Sequence, residues 1–135
     1  FSMNNKKIAI LLPFKDHFTN SKGGSASIWI KDFNKESSYK KNISVFGNTN
    51  DLNDLVDKKN YININFNKYA LISKNISYVN EFIKLYKKFS FKLIEIHNRP
   101  SYVHHLIKAD VNAKLVLIFH NNPLSLTQSI LNASI

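Results

Sequence analysis

The chain has 135 residues, a net charge of +10 and no cysteine. With 44% apolar residues, 21% charged residues and only three Gly and three Pro, it is a globular sequence, which excludes the disordered, collagenous and fibrous classes. The missing thiols exclude a disulfide framework, thiolate zinc sites and a cysteine nucleophile, and no apolar run approaches the ~20 residues that cross a bilayer.

Phe1 and Ser2 precede the only methionine, Met3, and are expected to be a cloning remnant. Residues 7–14 (KIAILLPF) form an almost unbroken apolar run. Such runs suit a strand covered on both faces, as in a parallel sheet. A polar, mobile stretch is expected over 15–22, ending at Gly23-Gly24. A helix follows over 25–36, with Ile28, Trp29 and Phe33 on one face. Residues 42–48 (NISVFGN) predict a second strand, 49–60 a loop or one exposed helical turn, and 61–65 (YININ) a third strand.

Residues 75–89 carry the clearest helical period, through Ile76, Val79, Ile83 and Tyr86, with Asn75 or Ser77 as the cap. Residues 93–97 (LIEIH) predict a strand. Pro100 then starts a helix to about 109, with Tyr102, Val103, Leu106 and Ile107 as its stripe. Residues 114–119 (KLVLIF) are a further buried strand. The sequence then passes Asn121-Asn122-Pro123 and ends at Ile135, in what reads as the start of another helix. Strands alternate with helices throughout, which predicts a Rossmann-like open parallel α/β sheet with helices on both faces. Residues 3–135 are expected to be one incomplete domain of a longer protein.

The charge points first to nucleic acid or an anionic membrane. Asn (19), Lys (18) and Ile (16) dominate the composition, and there is one Arg. An AT-rich genome would produce this skew without functional pressure. The lysines are scattered and no reader motif is present, so nucleic acid is disfavoured and anionic lipid is the better partner for a basic surface. The lone Arg99 either keeps a planar fork for a carboxylate, phosphate or carbonyl, or is a chance survivor on the surface.

Two constellations stand out. Gly23-Gly24, between the first strand and helix, either lets a phosphate approach the helix N-terminus or makes a tight turn. It matches neither G-x-G-x-x-G nor Walker A. The second is a repeated His-Asn-x-Pro: His97-Asn98-Arg99-Pro100 and His120-Asn121-Asn122-Pro123. Each closes an apolar strand. At the carboxyl edge of an open α/β sheet, ligands bind, and imidazole and carboxamide groups bond sugar hydroxyls or phosphate. The bland reading is two polar strand exits whose prolines start helices. Glu95, one pleat before His97, could support it. His17 could reach the same edge, whereas His104 and His105 diverge on their helix and are expected to be solvated. No metal site, Ser-His-Asp order or carboxylate pair can be assembled. Asn-x-Ser sequons at Asn42, Asn75 and Asn132 carry little weight in an Asn-rich chain.

The segments KIAILLPF, GGSASIWIKDF, LIEIHNRPSYVHHL and KLVLIFHNNP, in this order, resemble the N-terminal domain of glycosyltransferase family 4. They are most similar to the branch of spore-coat protein SA-like enzymes. The resemblance implies the N-terminal half of a two-domain GT-B transferase, a bacterial, cytoplasmic enzyme of polysaccharide biosynthesis that could touch the inner face of the membrane. Its reaction would retain anomeric configuration, without metal or cofactor, and use a nucleotide-sugar as co-substrate. The acceptor would be a saccharide or a lipid-linked sugar. His120 would match the active-site histidine that contacts the transferred sugar. Gly23 and Gly24 would approach the donor pyrophosphate. His97, Asn98, Arg99, Asn121 and Asn122 would line the cleft on the acceptor side. Asn122 departs from the Asp common at its position. The donor domain and its E-x7-E glutamates are missing from these residues, so this piece alone is expected to be inactive. Two rivals remain: a basic, non-catalytic binding module for anionic lipid or nucleic acid, and an unrelated nucleotide-binding Rossmann-like domain.

Overall fold

The computed structural model describes residues 7–21, 24, 26–30, 42–56, 59–67, 69, 73–89 and 91–120. Five strands, β1 (Ile8–Leu11), β2 (Ile43–Gly47), β3 (Tyr61–Asn63), β4 (Leu93–His97) and β5 (Lys114–Ile118), form one sheet in the order β3-β2-β1-β4-β5. Every pairing is parallel. Helical residues 26–30 (α1), the helix α2 (Lys74–Tyr86) and the helix α3 (Pro100–Lys108) complete the described elements, with a 3-10 turn at Leu52–Asp54. The predicted Rossmann-like sheet is therefore present.

Alternation along each strand sends neighbouring side chains to opposite faces. Ile10, Leu12, Ile43 and Val45 pack with Ala26 and Ile30 of α1. Ala9, Leu11, Phe46, Ile94 and Ile96 pack on the other face with Tyr78, Val79, Phe82, Tyr102 and Leu106 of α2 and α3. Both faces are thus covered, which explains the continuous apolar runs.

The chain leaves β1 toward β2 and β3, then returns to β4 on the other side of β1. The switch point consequently lies where the carboxyl ends of β1 and β4 meet, the usual ligand crevice of such sheets. Strand β1 stops at Leu11. Pro13, which lacks an N–H, then ends any ladder. The segment after it is attached to the connection between β2 and β3. Thr19 bridges Leu55, Val56 N–H donates to the Phe18 carbonyl at 3.1 Å, and Ser21 N–H donates to Asp54 Oδ2 at 3.0 Å. Phe18 is fully buried and stacks on Tyr61.

Three helix details differ from expectation. Ser73, in extended backbone, caps α2 through its hydroxyl, which accepts from Ile76 N–H at 3.1 Å; neither Asn75 nor Ser77 does so. Ile76 is 41% exposed, while Tyr78, Val79, Phe82 and Ile83 are buried. The helix turns to bury two aromatic rings, which removes more apolar surface than burying Ile76 would. Ile28 and Ile107 are likewise exposed. His105 is not simply solvated: its Nε2 meets Asn80 Oδ1 at 2.8 Å, linking α3 to α2. No described helix is long and apolar enough to cross a membrane.

Candidate functional site

Strand β4 places Glu95 and His97 on the α1 face, two residues apart. Its parallel partner β5 sets His97 beside Ile118. His120, two residues further on, then falls on the same side as His97. The Nδ1 of His97 lies 2.8 Å from Nε2 of His120, and the rings are nearly parallel at 8°. Nε2 of His97 lies 2.7 Å from Glu95 Oε1. His97 is 0% exposed, whereas His120 is half-buried. Trp29 of α1 covers both imidazoles, with ring centroids 5.4 Å from His97 and 5.8 Å from His120.

The backbone holds this pair in place. Asn98 adopts a left-handed φ of 58°, a region Asn tolerates better than most residues. Its N–H donates to the Ile118 carbonyl at 2.8 Å, and its Oδ1 accepts from His120 N–H at 2.7 Å. Asn98 of the first His-Asn-x-Pro motif thereby ties down His120 of the second. Arg99 turns back and donates to the Asn98 carbonyl at 2.9 Å, beside the phenol of Tyr102.

On the β1 side, Asp16 Oδ1 accepts from Gly24 N–H at 2.8 Å and from the buried Ser27 hydroxyl. The Gly24 N–H is thus already engaged. His17 does reach the carboxyl edge, with Nδ1 at 3.1 Å from the Thr49 hydroxyl, but on the β2 side. Gly23, Asn121 and Asn122 lie outside the described residues.

Burial, then the neighbouring His97, pulls the His120 pKa below its usual value; Asp16 and Glu95 oppose this more weakly. Nearby phenols are held protonated. Burial raises Tyr78, whose hydroxyl donates to the Leu12 carbonyl at 2.7 Å, and pushes Tyr102 up to about 12. Among the described residues no three His, Asp or Glu side chains gather as a metal-ligand set. The arrangement can hydrogen-bond a ligand and hold or pass a proton.

The sequence reading placed His97, His120 and Glu95 together. It assigned Trp29 only to an apolar helix face and gave Asp16 and Ser27 no role. Being the sole tryptophan marks Trp29, but no spacing rule links position 29 to 97 and 120.

The sheet order and the crevice define a class: the chain has the Rossmann-like fold of the N-terminal half of a GT-B glycosyltransferase. A solved structure similar to it is the sucrose-phosphate synthase of Thermosynechococcus elongatus, at 12% identity and a TM-score of 0.60. The match covers 91% of this chain and 35% of that one, so this chain spans about a third of its structural neighbour. No family model matches the sequence, and no curated protein sequence does.

Proposed function

We propose that this chain is the acceptor-side portion of a retaining, metal-independent glycosyltransferase, of the family 4 type and its spore-coat SA-like branch. It would serve a transfer from a nucleotide-sugar to a saccharide or lipid-linked acceptor, in the cytoplasm or on the inner face of the membrane. The observation that carries this reading is the meeting of His97 and His120, the first residues of the two His-Asn-x-Pro motifs, beside the switch point, with His120 under Trp29. In this reading His120 contacts the transferred sugar, Asn98 and Arg99 shape the acceptor side, and His97 stands behind His120. Gly23 and Gly24 face the donor diphosphate across the cleft, where Asn121 and Asn122 also belong. A second domain supplies the nucleotide-sugar site, and closure of the two excludes water.

The test is transfer by the full-length protein, followed with a panel of nucleotide-sugars and with NMR of the product anomer. Retention of configuration and a loss of about 10²-fold in turnover for His120→Ala support the reading. A full-length protein that neither binds nor consumes any nucleotide-sugar overturns it.

The +10 charge favours one rival, a basic module on anionic lipid or nucleic acid. Its mark would be binding that falls steeply with salt. The other rival, an unrelated nucleotide binder, would gain from histidines placed far from the glycine turn. Here β4 lies next to β1, and Asp16 both binds Gly24 and acts on His120.

A further inference from the structure

Hydrogen-bond logic fixes the protons of the histidine pair. An ionised Glu95 can only accept, so the contact at 2.7 Å requires a proton on Nε2 of His97. A neutral His97 then has a bare Nδ1. That atom can only accept, so the contact at 2.8 Å places the His120 proton on Nε2. The remaining atom, His120 Nδ1, carries a lone pair, and among the described residues no hydrogen-bond partner meets it. His120 is also the half-exposed member of the pair.

We propose that Glu95, His97 and His120 form a proton relay that presents His120 Nδ1 as a hydrogen-bond acceptor, and converts it to a donor on uptake of one proton. In the neutral state this atom takes a hydroxyl of an uncharged ligand. A proton arriving at His120 Nδ1 sends the Nε2 proton of His120 to Nδ1 of His97. The positive charge then rests on His97, against the Glu95 carboxylate, and His120 is again neutral with its proton on Nδ1. One proton enters and none leaves. The same atom now donates, and suits an anionic oxygen such as that of a phosphate.

Among the described residues, the groups facing this pair are Glu95 on β4, Asp16 from the segment after β1, and the uncharged Trp29 ring from α1. Asp16 and Glu95 both favour proton uptake, while burial opposes it. The two rings share one proton path through the contact at 2.8 Å. His97 and Glu95 are positioning residues here, since neither presents an atom to the ligand. The inference deepens the transferase reading and rests on it only for naming the hydroxyl as that of a sugar.

Nitrogen-15 NMR of the histidine rings in this chain tests the relay without any ligand or activity. At pH 8 both His97 and His120 should carry the proton on Nε2, with Nδ1 of His120 bare. On acidification His120 should gain a proton on Nδ1 and give up the one on Nε2. Glu95→Gln keeps an acceptor oxygen but removes the charge. It should lower the proton affinity of the pair by about tenfold or more, with an unchanged backbone amide spectrum as the control for folding. A His120 proton on Nδ1 at pH 8 overturns the relay in the wild-type protein, as does proton uptake at His120 that Glu95→Gln leaves unchanged. In the full-length transferase, Glu95→Gln should also move the acid limb of the kcat profile to lower pH. Sugar transfer combined with the wrong tautomer would leave the transferase reading standing and remove the relay. The right tautomer without sugar transfer would do the reverse.

Discussion

Asp16 Oδ1 accepts the backbone N–H of Gly24 at 2.8 Å, so a carboxylate of the chain itself sits at the glycine turn. The two residues are also in steric contact. A Cβ on residue 24 would lie 3.0 Å from Cγ and both oxygens of Asp16. Gly24→Ala must therefore push the carboxylate back by a few tenths of an ångström and stretch its hydrogen bonds to Gly24 and Ser27. We expect a loss of about 1–3 kcal/mol, the range for unsatisfied buried partners, measured by urea unfolding. In an Asp16→Ala background the same change should cost less, with a coupling of about 1 kcal/mol. Equal costs in both backgrounds would show that the two residues do not interact.

Trp29 should report on the histidine pair. It is the only tryptophan, and both imidazoles lie against it. An imidazolium beside an indole interacts with its π-face and quenches its emission. Fluorescence should fall as the pair takes up a proton on acidification. It should stay flat over the same range in a His97→Gln/His120→Gln double variant. An unchanged pH response in that variant would assign the quenching to another group.

Tyr78 couples α2 to the end of β1 through the Leu12 carbonyl, in a fully buried setting. Tyr78→Phe leaves that carbonyl without its donor while keeping the ring packed against Phe14 and Phe66. The expected cost is about 1–3 kcal/mol. A midpoint in urea equal to the wild type would mean that water replaces the phenol.

Phe82 fills the space between α2 and the sheet, edge-on to Phe46 and without exposure. Phe82→Ala should cost about 3–5 kcal/mol through lost burial and a residual cavity. Ile76→Ala on the same helix is a control, because Ile76 is 41% exposed, and should change stability by well under half that amount.

Stability should fall on both sides of neutrality. The pKa values of His105 and His120 are lowered from 6.5, mainly by burial. The unfolded chain therefore takes up these protons before the folded chain does. Their contribution is constant at higher pH and becomes destabilising as pH drops through 6.5 toward the folded values. Tyr61, Tyr78 and Tyr102 are raised above 10.0, again chiefly by burial. The unfolded chain loses those protons first, so stability should decline as pH rises through 10.0. Urea midpoints across pH would check both limbs. Tyr78→Phe should flatten the alkaline limb, and a limb of unchanged slope would remove Tyr78 as its source.

Much of the architecture follows from local sequence. The apolar run LIEIH spans the observed β4 residue for residue. Pro100 starts α3 as expected, because its fixed φ and missing N–H suit the first helical position. The strand and helix alternation, the two His-Asn-x-Pro exits and the pairing of Glu95 with His97 depend on spacings of a few residues, which any single segment carries.

What local spacing does not carry is which strand ends become neighbours. That depends on covering both faces of one sheet at once, and the solution here puts β4 between β1 and β5. Only this order brings His97 within 2.8 Å of His120, 23 residues away. It also sets Trp29 over both rings and brings Asp16 to the same crevice. The rotation of α2 was decided in the same way. Its apolar period allowed Ile76 inward, but the sheet accepted Tyr78 and Phe82, whose rings bury more surface and whose phenol satisfies the Leu12 carbonyl. The sequence alone determined the kinds of element and the chemistry at their ends; tertiary packing decided which of those ends face each other, because burial is summed over the whole sheet and not over any one segment.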